Sequence, residues 1–478
     1  MTLSENIVPK KGTELELEIQ ALAFGARGIA RINDMVCFVD DTLPGQTVLA
    51  RISRKKKKYC EARLLRILKQ SDQYIPPLCR HVNGCGGCSL QHFNYSSQLA
   101  AKEEQVSDLV QRIGGLTDFT MLPILPAEEQ FHYRNKMEFS FAPERWLDVD
   151  EISSNAEFNK NGHYLGMHAK GFFEKVVDLQ ECYLADPIVA EIVKHIREVA
   201  AQSGLPAYGS RAQKGFWRFL IVRKCLNTTD LMVNVVTREY NEKIARLVTR
   251  EMTARFPQIT SLLLGTTTSL GGVAFCETET LLYGRSTVYE QLGKYRFEIS
   301  ANSFFQTNTH QAERLYDTII EFANFSRNEN VYDLYCGAGT ISIYISGLVR
   351  RVTGFESVES AIKDANNNCV LNNVENCRFI AGDLKDLIRN IPAVLESCGE
   401  PDVMIIDPPR GGMHPDTVQA VLKLLPQRIV HVSCNPASLA RDLAILCEQE
   451  YRLVKVKPVD MFPHTAHVEV VALLERKS

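Results

Sequence analysis

The run NVYDLYCGAGT, residues 330–340, decides the fold of the carboxyl-terminal part of the chain. Its apolar part reads as a strand, and Gly337 and Gly339 break the extended chain where a helical pattern begins. Glycines at such a turn let the backbone approach a ligand closely, and the helix amino end offers unpaired N–H groups. The alternation continues downstream. Strands are expected at Asn330–Tyr335, Arg351–Phe355, Cys377–Ala381, Val403–Ile406, Arg428–Ser433, Tyr451–Val456 and Val468–Leu474, with helices at 340–349, 360–372, 415–425 and 436–448. Regular β/α alternation predicts a doubly wound, mostly parallel, Rossmann-like sheet with ligands at the carboxyl ends of its strands.

Upstream the pattern differs. Residues 11–68 read as all-β: a strand over 12–24, a hairpin of Arg27–Ala30 and Met35–Val39 around Asn33-Asp34, and strands Gln46–Lys55 and Tyr59–Leu68. Five short strands in this length suggest an OB-like barrel. A break with two prolines follows over residues 71–77, then a helix at Ser96–Ile113 closed by Gly114-Gly115. The middle is α+β, with strands at Lys136–Phe141, Phe219–Val222 and Leu231–Val236 and a helix near Pro187–Ala201. The expected organisation is multidomain α/β: a barrel over residues 1–68, a central α+β domain over 75–290 and the Rossmann-like domain over 291–478.

Composition narrows the function classes. With 478 residues, 45% hydrophobic and 23% charged, the chain is an ordinary folded one. It has no apolar run near the ~18 residues that span a bilayer, and its start, MTLSENIVPKKG, lacks the apolar core of a secretory signal. A cytoplasmic protein without a membrane is expected. The net charge of −3 argues against a wholly basic nucleic-acid binder, yet residues 1–70 alone carry net +5, most visibly in Arg54 and Lys55 to Lys58. Fourteen cysteines in a reducing compartment are not a disulfide framework, so ligand spacing is the question.

At the ligand edge of the sheet, Glu356 ends the second strand, where a carboxylate can bind both ribose hydroxyls, and Asp383 follows the third, where an acid can contact an adenine amino group. Nicotinamide enzymes and S-adenosylmethionine methyltransferases share this arrangement. Position 342 is Ser, so the third glycine of the dinucleotide fingerprint is missing, which favours the methyltransferase. Asp407-Pro408-Pro409-Arg410 makes a sharp loop after the fourth strand, and Ser433-Cys434-Asn435-Pro436 places a cysteine between the fifth strand and a helix. A helix amino end is expected to lower the Cys434 thiol pKa. His467-Val468-Glu469 falls near the final strand.

DLYCGAGT, IDPPRGG and SCNP, in this order and spacing, resemble the RNA uracil-5-methyltransferase family over nearly the whole chain. The amino-terminal module resembles its TRAM domain, and Ser303-Phe304-Phe305-Gln306-Thr307-Asn308 its substrate-side motif. The resemblance implies Cys434 as nucleophile and Glu469 as proton-abstracting base. It also implies that Gln306, Tyr335, Thr340, Glu356, Asp383 and Asp407 contact the methyl donor, S-adenosylmethionine. Tyr335 stands where the motif more commonly has phenylalanine, and it keeps the ring. C5 of uracil is a poor nucleophile; a thiolate added at C6 turns the ring into an enolate that takes the methyl group. Cys336 competes for the nucleophile's role, but inside a loop that hugs the donor it reads as structural.

Cys79, Cys85 and Cys88, with Gly86-Gly87 between the last two, form a dense ligand run that suits zinc or an iron–sulfur cluster, each needing a fourth ligand. Residues 79–92 resemble the cluster segment of the same family, which implies a 4Fe-4S cluster with Cys182 as fourth ligand, and His81 and His92 outside the ligand set. The resemblance further implies an RNA substrate: a uridine of 23S ribosomal RNA is expected, with the T-loop of transfer RNA as the alternative. A monomer with no obligate protein partner is expected. A reading of a different class is a non-catalytic RNA-binding or ribosome-assembly protein, which donor binding would exclude.

Overall fold

The computed structural model describes residues 10–154, 159–385 and 390–477; the first nine residues, read above for a signal, lie outside these. Among the described residues no helix is long and apolar enough to cross a membrane.

The amino-terminal module is a six-stranded sheet of Glu14–Glu18, Ala21–Ala23, Arg27–Ile32, Met35–Val39, Thr47–Lys55 and Tyr59–Lys69. The single strand expected over 12–24 is bent at Ile19-Gln20. Its first half pairs with Thr47–Lys55 and its second with Arg27–Ile32, so one bent strand borders both ends of the sheet. Alternating inward residues, among them Leu17, Ala30, Val39, Val48, Ile52 and Ala62, fill the interior. Arg54 and Lys55 to Lys58 are all exposed and form no ion pair among the described residues, whereas Arg27 and Arg51 are matched by Asp40 and Glu14.

The central sheet runs in the order Thr278–Gly284, Ser261–Thr266, Leu231–Thr237, Trp217–Lys224, Lys136–Ala142, Tyr164–Gly166. Helices Pro187–Gln202 and Glu242–Arg255 cover one face, burying Ile192, Ile196 and Val248 against Phe139, Leu220 and Val233.

The carboxyl-terminal sheet has eight strands in the spatial order Cys377–Ala381, Arg351–Glu356, Asn330–Leu334, Val403–Ile406, Arg428–Ser433, Glu469–Arg476, Tyr451–Val459, Thr120–Met121. All seven expected strands are present, three with the expected bounds and four with ends moved by one to three residues. Two features were not expected. Glu469–Arg476 runs antiparallel to both neighbours. Thr120–Met121 joins from outside the 291–478 stretch, and the helix Tyr95–Arg112 likewise buries Val106 and Val110 with Leu439 and Leu443 of the helix Pro436–Glu448. Helices Thr309–Ala323 and Ile391–Cys398 were not read either, and the helix expected over 340–349 is α only at Thr340–Ile345, tightening to a 3₁₀ turn at Ser346–Leu348 around Gly347.

Candidate active site

Read along its carboxyl edge, the sheet presents Asp383, Glu356, the turn Tyr335 to Gly339, Asp407 and Cys434, each just past or at a strand end, in that spatial order. Because the next strand is antiparallel, its first residue lies at the same edge, and that residue is Glu469. Ser433 pairs with Val470 in the register, which sets Cys434 across from Glu469. Cys434 is half-buried, and Glu469 is 5% exposed.

The electrostatics of this corner are those of carboxylates in a dry site. Burial, then the charge of Asp407, pushes the Glu469 carboxyl up to about 8, and Arg410 opposes the shift. Burial pushes Asp407 up to about 6, with His431 opposing. Burial, then Glu469 and Asp407, pushes the Cys434 thiol up to about 11, again with Arg410 opposing. The expected lowering of that thiol by the helix end does not hold. Two of the helix's amino-terminal donors are already spent: Pro436 has no N–H, and the Asn435 side chain accepts from Ala437 N at 3.1 Å. Two carboxylates and burial outweigh what remains.

Arg410 is the residue that sequence reasoning missed. It lies within the quoted IDPPRGG, but nothing in one dimension says that it reaches a cysteine 24 positions on. Asn435 Nδ2 donates to its carbonyl at 2.9 Å, tying the Pro-Pro loop to the cysteine's helix. Its guanidinium lies 3.4 Å from His467 Nε2. His467, pushed down to about 4 by burial and by Arg410, is neutral and therefore able to accept from it.

The glycine turn has room for a ligand. A Cβ on Gly337 meets nothing within 4 Å, at a backbone φ of +53°. The helix beginning at Thr340 has no cap from Gly339, and of its first donors the Ser342 N–H serves Asp333. Tyr335 adopts φ +66°, a strained conformation for a non-glycine residue of the kind held at functional sites. Glu356 is locked by N–H donors: Gly337 N at 3.2 Å, Ser357 N at 2.7 Å and Val358 N at 2.9 Å. A carboxylate so fixed suits a pair of ribose hydroxyls. Asp383 is exposed, its charge held by Lys385 N at 3.0 Å. Thr340 Oγ1 lies 3.0 Å from Tyr316 Oη, and the Gln306 carbonyl accepts from Asn135 Nδ2 at 2.9 Å. Ser342, at the missing third glycine, donates to Asp333 Oδ2 at 2.5 Å; burial pushes that aspartate up to about 7.

The four cysteines of the second constellation come together from distant positions. Cys85 and Cys88 are buried, Cys79 and Cys182 half-buried. Burial, with the proximity of the other thiols, pushes Cys79 and Cys85 up to about 11, and Cys88 higher. Each sulfur meets an N–H group: Gly87 N at 3.4 Å for Cys85, Gln91 Nε2 at 3.9 Å for Cys88, the His81 backbone for Cys79, and the Leu184 and Ala185 backbones for Cys182. Such donors suit sulfurs that carry negative charge. Among the described residues no three His, Cys, Asp or Glu side chains form a group able to hold a metal ion. Zinc needs four ligands at about 2.3 Å from one centre.

Comparison with known proteins supplies the context. The family model for tRNA (uracil-5-)-methyltransferases matches residues 277–477, and that for the TRAM domain residues 9–65. An RNA methyltransferase of Porphyromonas gingivalis, itself uncharacterized, is 42% identical over 467 residues, 97% of this chain and 100% of the relative. One from Chlorobaculum tepidum is 42% identical over 434 residues, 91% of this chain and 90% of its own. Among solved structures, the Pyrococcus abyssi tRNA (uracil-54, C5)-methyltransferase in complex with S-adenosyl-L-homocysteine is similar with a TM-score of 0.74 and 28% identity, covering 96% of this chain and 99% of that one.

Proposed function

The chain belongs to the tRNA (uracil-5-)-methyltransferase family of S-adenosylmethionine-dependent RNA methyltransferases, and on that premise we propose that it methylates C5 of a uridine through a covalent adduct to Cys434. The observation that carries this reading is the antiparallel register that sets Cys434 against Glu469 beside Arg410.

In this reading the Cys434 sulfur, as thiolate, adds to C6, and the ring charge spreads to the C4 oxygen. Arg410, oriented by neutral His467, favours both the thiolate and the enolate. C5 then takes the methyl group of S-adenosylmethionine, the second substrate, as the sulfonium S–CH3 bond breaks with its electrons left on sulfur and S-adenosylhomocysteine departs; Gln306, Tyr335, Thr340, Glu356, Asp383 and Asp407 would hold the donor. Glu469 then removes the C5 proton, the electrons of that C–H bond restore the C5–C6 double bond, and the C6–S bond breaks to release the thiolate. A carboxyl poised near 8 is a stronger base than an ordinary glutamate, which suits removal of a carbon-bound proton.

The substrate proposed is 23S ribosomal RNA, on the strength of the four-cysteine segment; Cys79, Cys85, Cys88 and Cys182 would hold a 4Fe-4S cluster of structural role. The target uridine is flipped out of its stack to reach Cys434, while the exposed cations Arg54 and Lys55 to Lys58 hold phosphates, in a cytoplasmic monomer. A second reading, T-loop transfer RNA, is favoured by the likeness to the Pyrococcus abyssi enzyme. Mapping 5-methyluridine in both RNAs from a deletion strain separates them: loss from 23S RNA alone supports the first, and loss from transfer RNA overturns it.

A further inference from the structure

The segment 460–468 joins the strand Tyr451–Val459 to the strand that begins with Glu469, so its placement sets where the base stands. Residues 89–131, far away in sequence, hold it. Ser89 N and Leu90 N both donate to the His464 carbonyl, each at 3.0 Å. Gln98, fully buried, brackets the same residue: its Oε1 accepts from His464 N at 3.0 Å and its Nε2 lies 3.2 Å from His464 Nδ1. Phe131 stacks on that imidazole, with ring centroids 4.3 Å apart. Lys102, 1% exposed, meets Asp460 at 2.6 Å and donates to the Phe462 carbonyl at 3.2 Å, and Tyr95 Oη donates to the same aspartate at 2.9 Å.

The side chains of these groups bond to the base's loop, whereas the nucleophile's follows the strand Arg428–Ser433 and is tied to Arg410, the helix Tyr95–Arg112 meeting that side only through the apolar packing of Val106 and Val110. We propose that Gln98 and Lys102 are positioning residues for proton abstraction by Glu469, and that the four-cysteine segment, continuous with Ser89 and Leu90, is the rear support of the same loop. The proposal rests on the covalent mechanism above. It divides the reaction: addition and methyl transfer depend first on Cys434 and Arg410, release depends on Glu469, and the grip bears most on release, with His467 linking the same loop to Arg410. A shift of about 1 Å in a reacting group is enough to cost on the order of 10²-fold in rate.

The two halves are separable with full-length protein, S-adenosylmethionine and transcripts of 23S and transfer RNA made with uridine or 5-fluorouridine. A 5-fluorouridine ring has no C5 proton to lose, so its adduct persists whatever the base does and reports the first half alone. Gln98→Ala and Lys102→Met are expected to form the 5-fluorouridine adduct within about threefold of wild type, to accumulate a denaturation-stable adduct with ordinary RNA that wild type does not, and to release 5-methyluridine at least about tenfold more slowly. Cys88→Ser is expected to do the same. If both adducts and methylation fall in parallel, or release is unchanged, the proposal is wrong. Should the buried substitutions fail to fold, Tyr95→Phe, which removes one hydroxyl, decides by the same two readouts. Absence of a 5-fluorouridine adduct in wild type overturns the covalent mechanism itself, whatever the variants do.

Discussion

Two cysteines stand at the same edge of the same sheet, each between a strand and a helix, and their surroundings differ. Cys336 is packed: its sulfur lies against the neighbouring strand, where a Cβ on Gly354 would come within 2.8 Å of it, and burial with Asp333 and Glu356 raises its thiol well above normal, with no cation opposing. Cys434 is half-buried, and Arg410 opposes the carboxylates around it. The helix end that both share does not distinguish them. The neighbouring cation and the open side do.

The sharpest way to break this contrast is to exchange the two roles. Cys434→Ala is expected to reduce methylation by at least about 10⁴-fold and to abolish the RNA adduct, with donor binding intact. Cys336→Ala is expected to stay within about tenfold; an equal loss from both would remove the distinction. Methyl transfer from labelled donor and a denaturing gel for the adduct measure it.

Glu469→Gln comes next, with product release slowed by about 10²–10⁴-fold and the adduct trapped. The sign of its second effect is fixed. A carboxylate beside the thiol raises its pKa, so removing that charge lets the thiolate form at lower pH. The pH profile of Cys434 alkylation is therefore expected to move down in Glu469→Gln, and an upward move would contradict the electrostatic account. Arg410→Met removes the opposing cation and is expected to move that profile up, with methylation falling by about 10²-fold. The mildest effect belongs to the barrel. Replacing Lys55 to Lys58 by alanine is expected to weaken RNA binding and lower its salt dependence by up to about four contacts' worth, leaving the rate at saturating RNA unchanged. That variant separates docking from the chemistry at Cys434.

Much of the site was legible because β/α alternation writes itself into local periodicity. Seven strands of the carboxyl-terminal sheet and the positions of Asp383, Glu356, Asp407 and Cys434 at its edge follow from short apolar runs ended by turn residues. The helix Thr309–Ala323 was missed despite a local signal, the Asn308 side chain capping Gln311 N at 3.2 Å. The bend at Ile19-Gln20 had none, since alternation continues through it while the pairing partner changes. Ser342 was read only as a missing glycine; that it serves Asp333 depends on a turn of helix placing its hydroxyl over the strand.

By itself the sequence determined seven strands of the carboxyl-terminal sheet and the residues that end at its ligand edge, because these depend on neighbours a few positions away. Tertiary structure alone decided that the last strand runs antiparallel, bringing Glu469 to face Cys434. It also decided that Arg410 offsets the carboxylates there, and that residues 89–131 hold the segment leading into Glu469. Direction, register and field come from packing among segments tens to hundreds of residues apart. No local period encodes them.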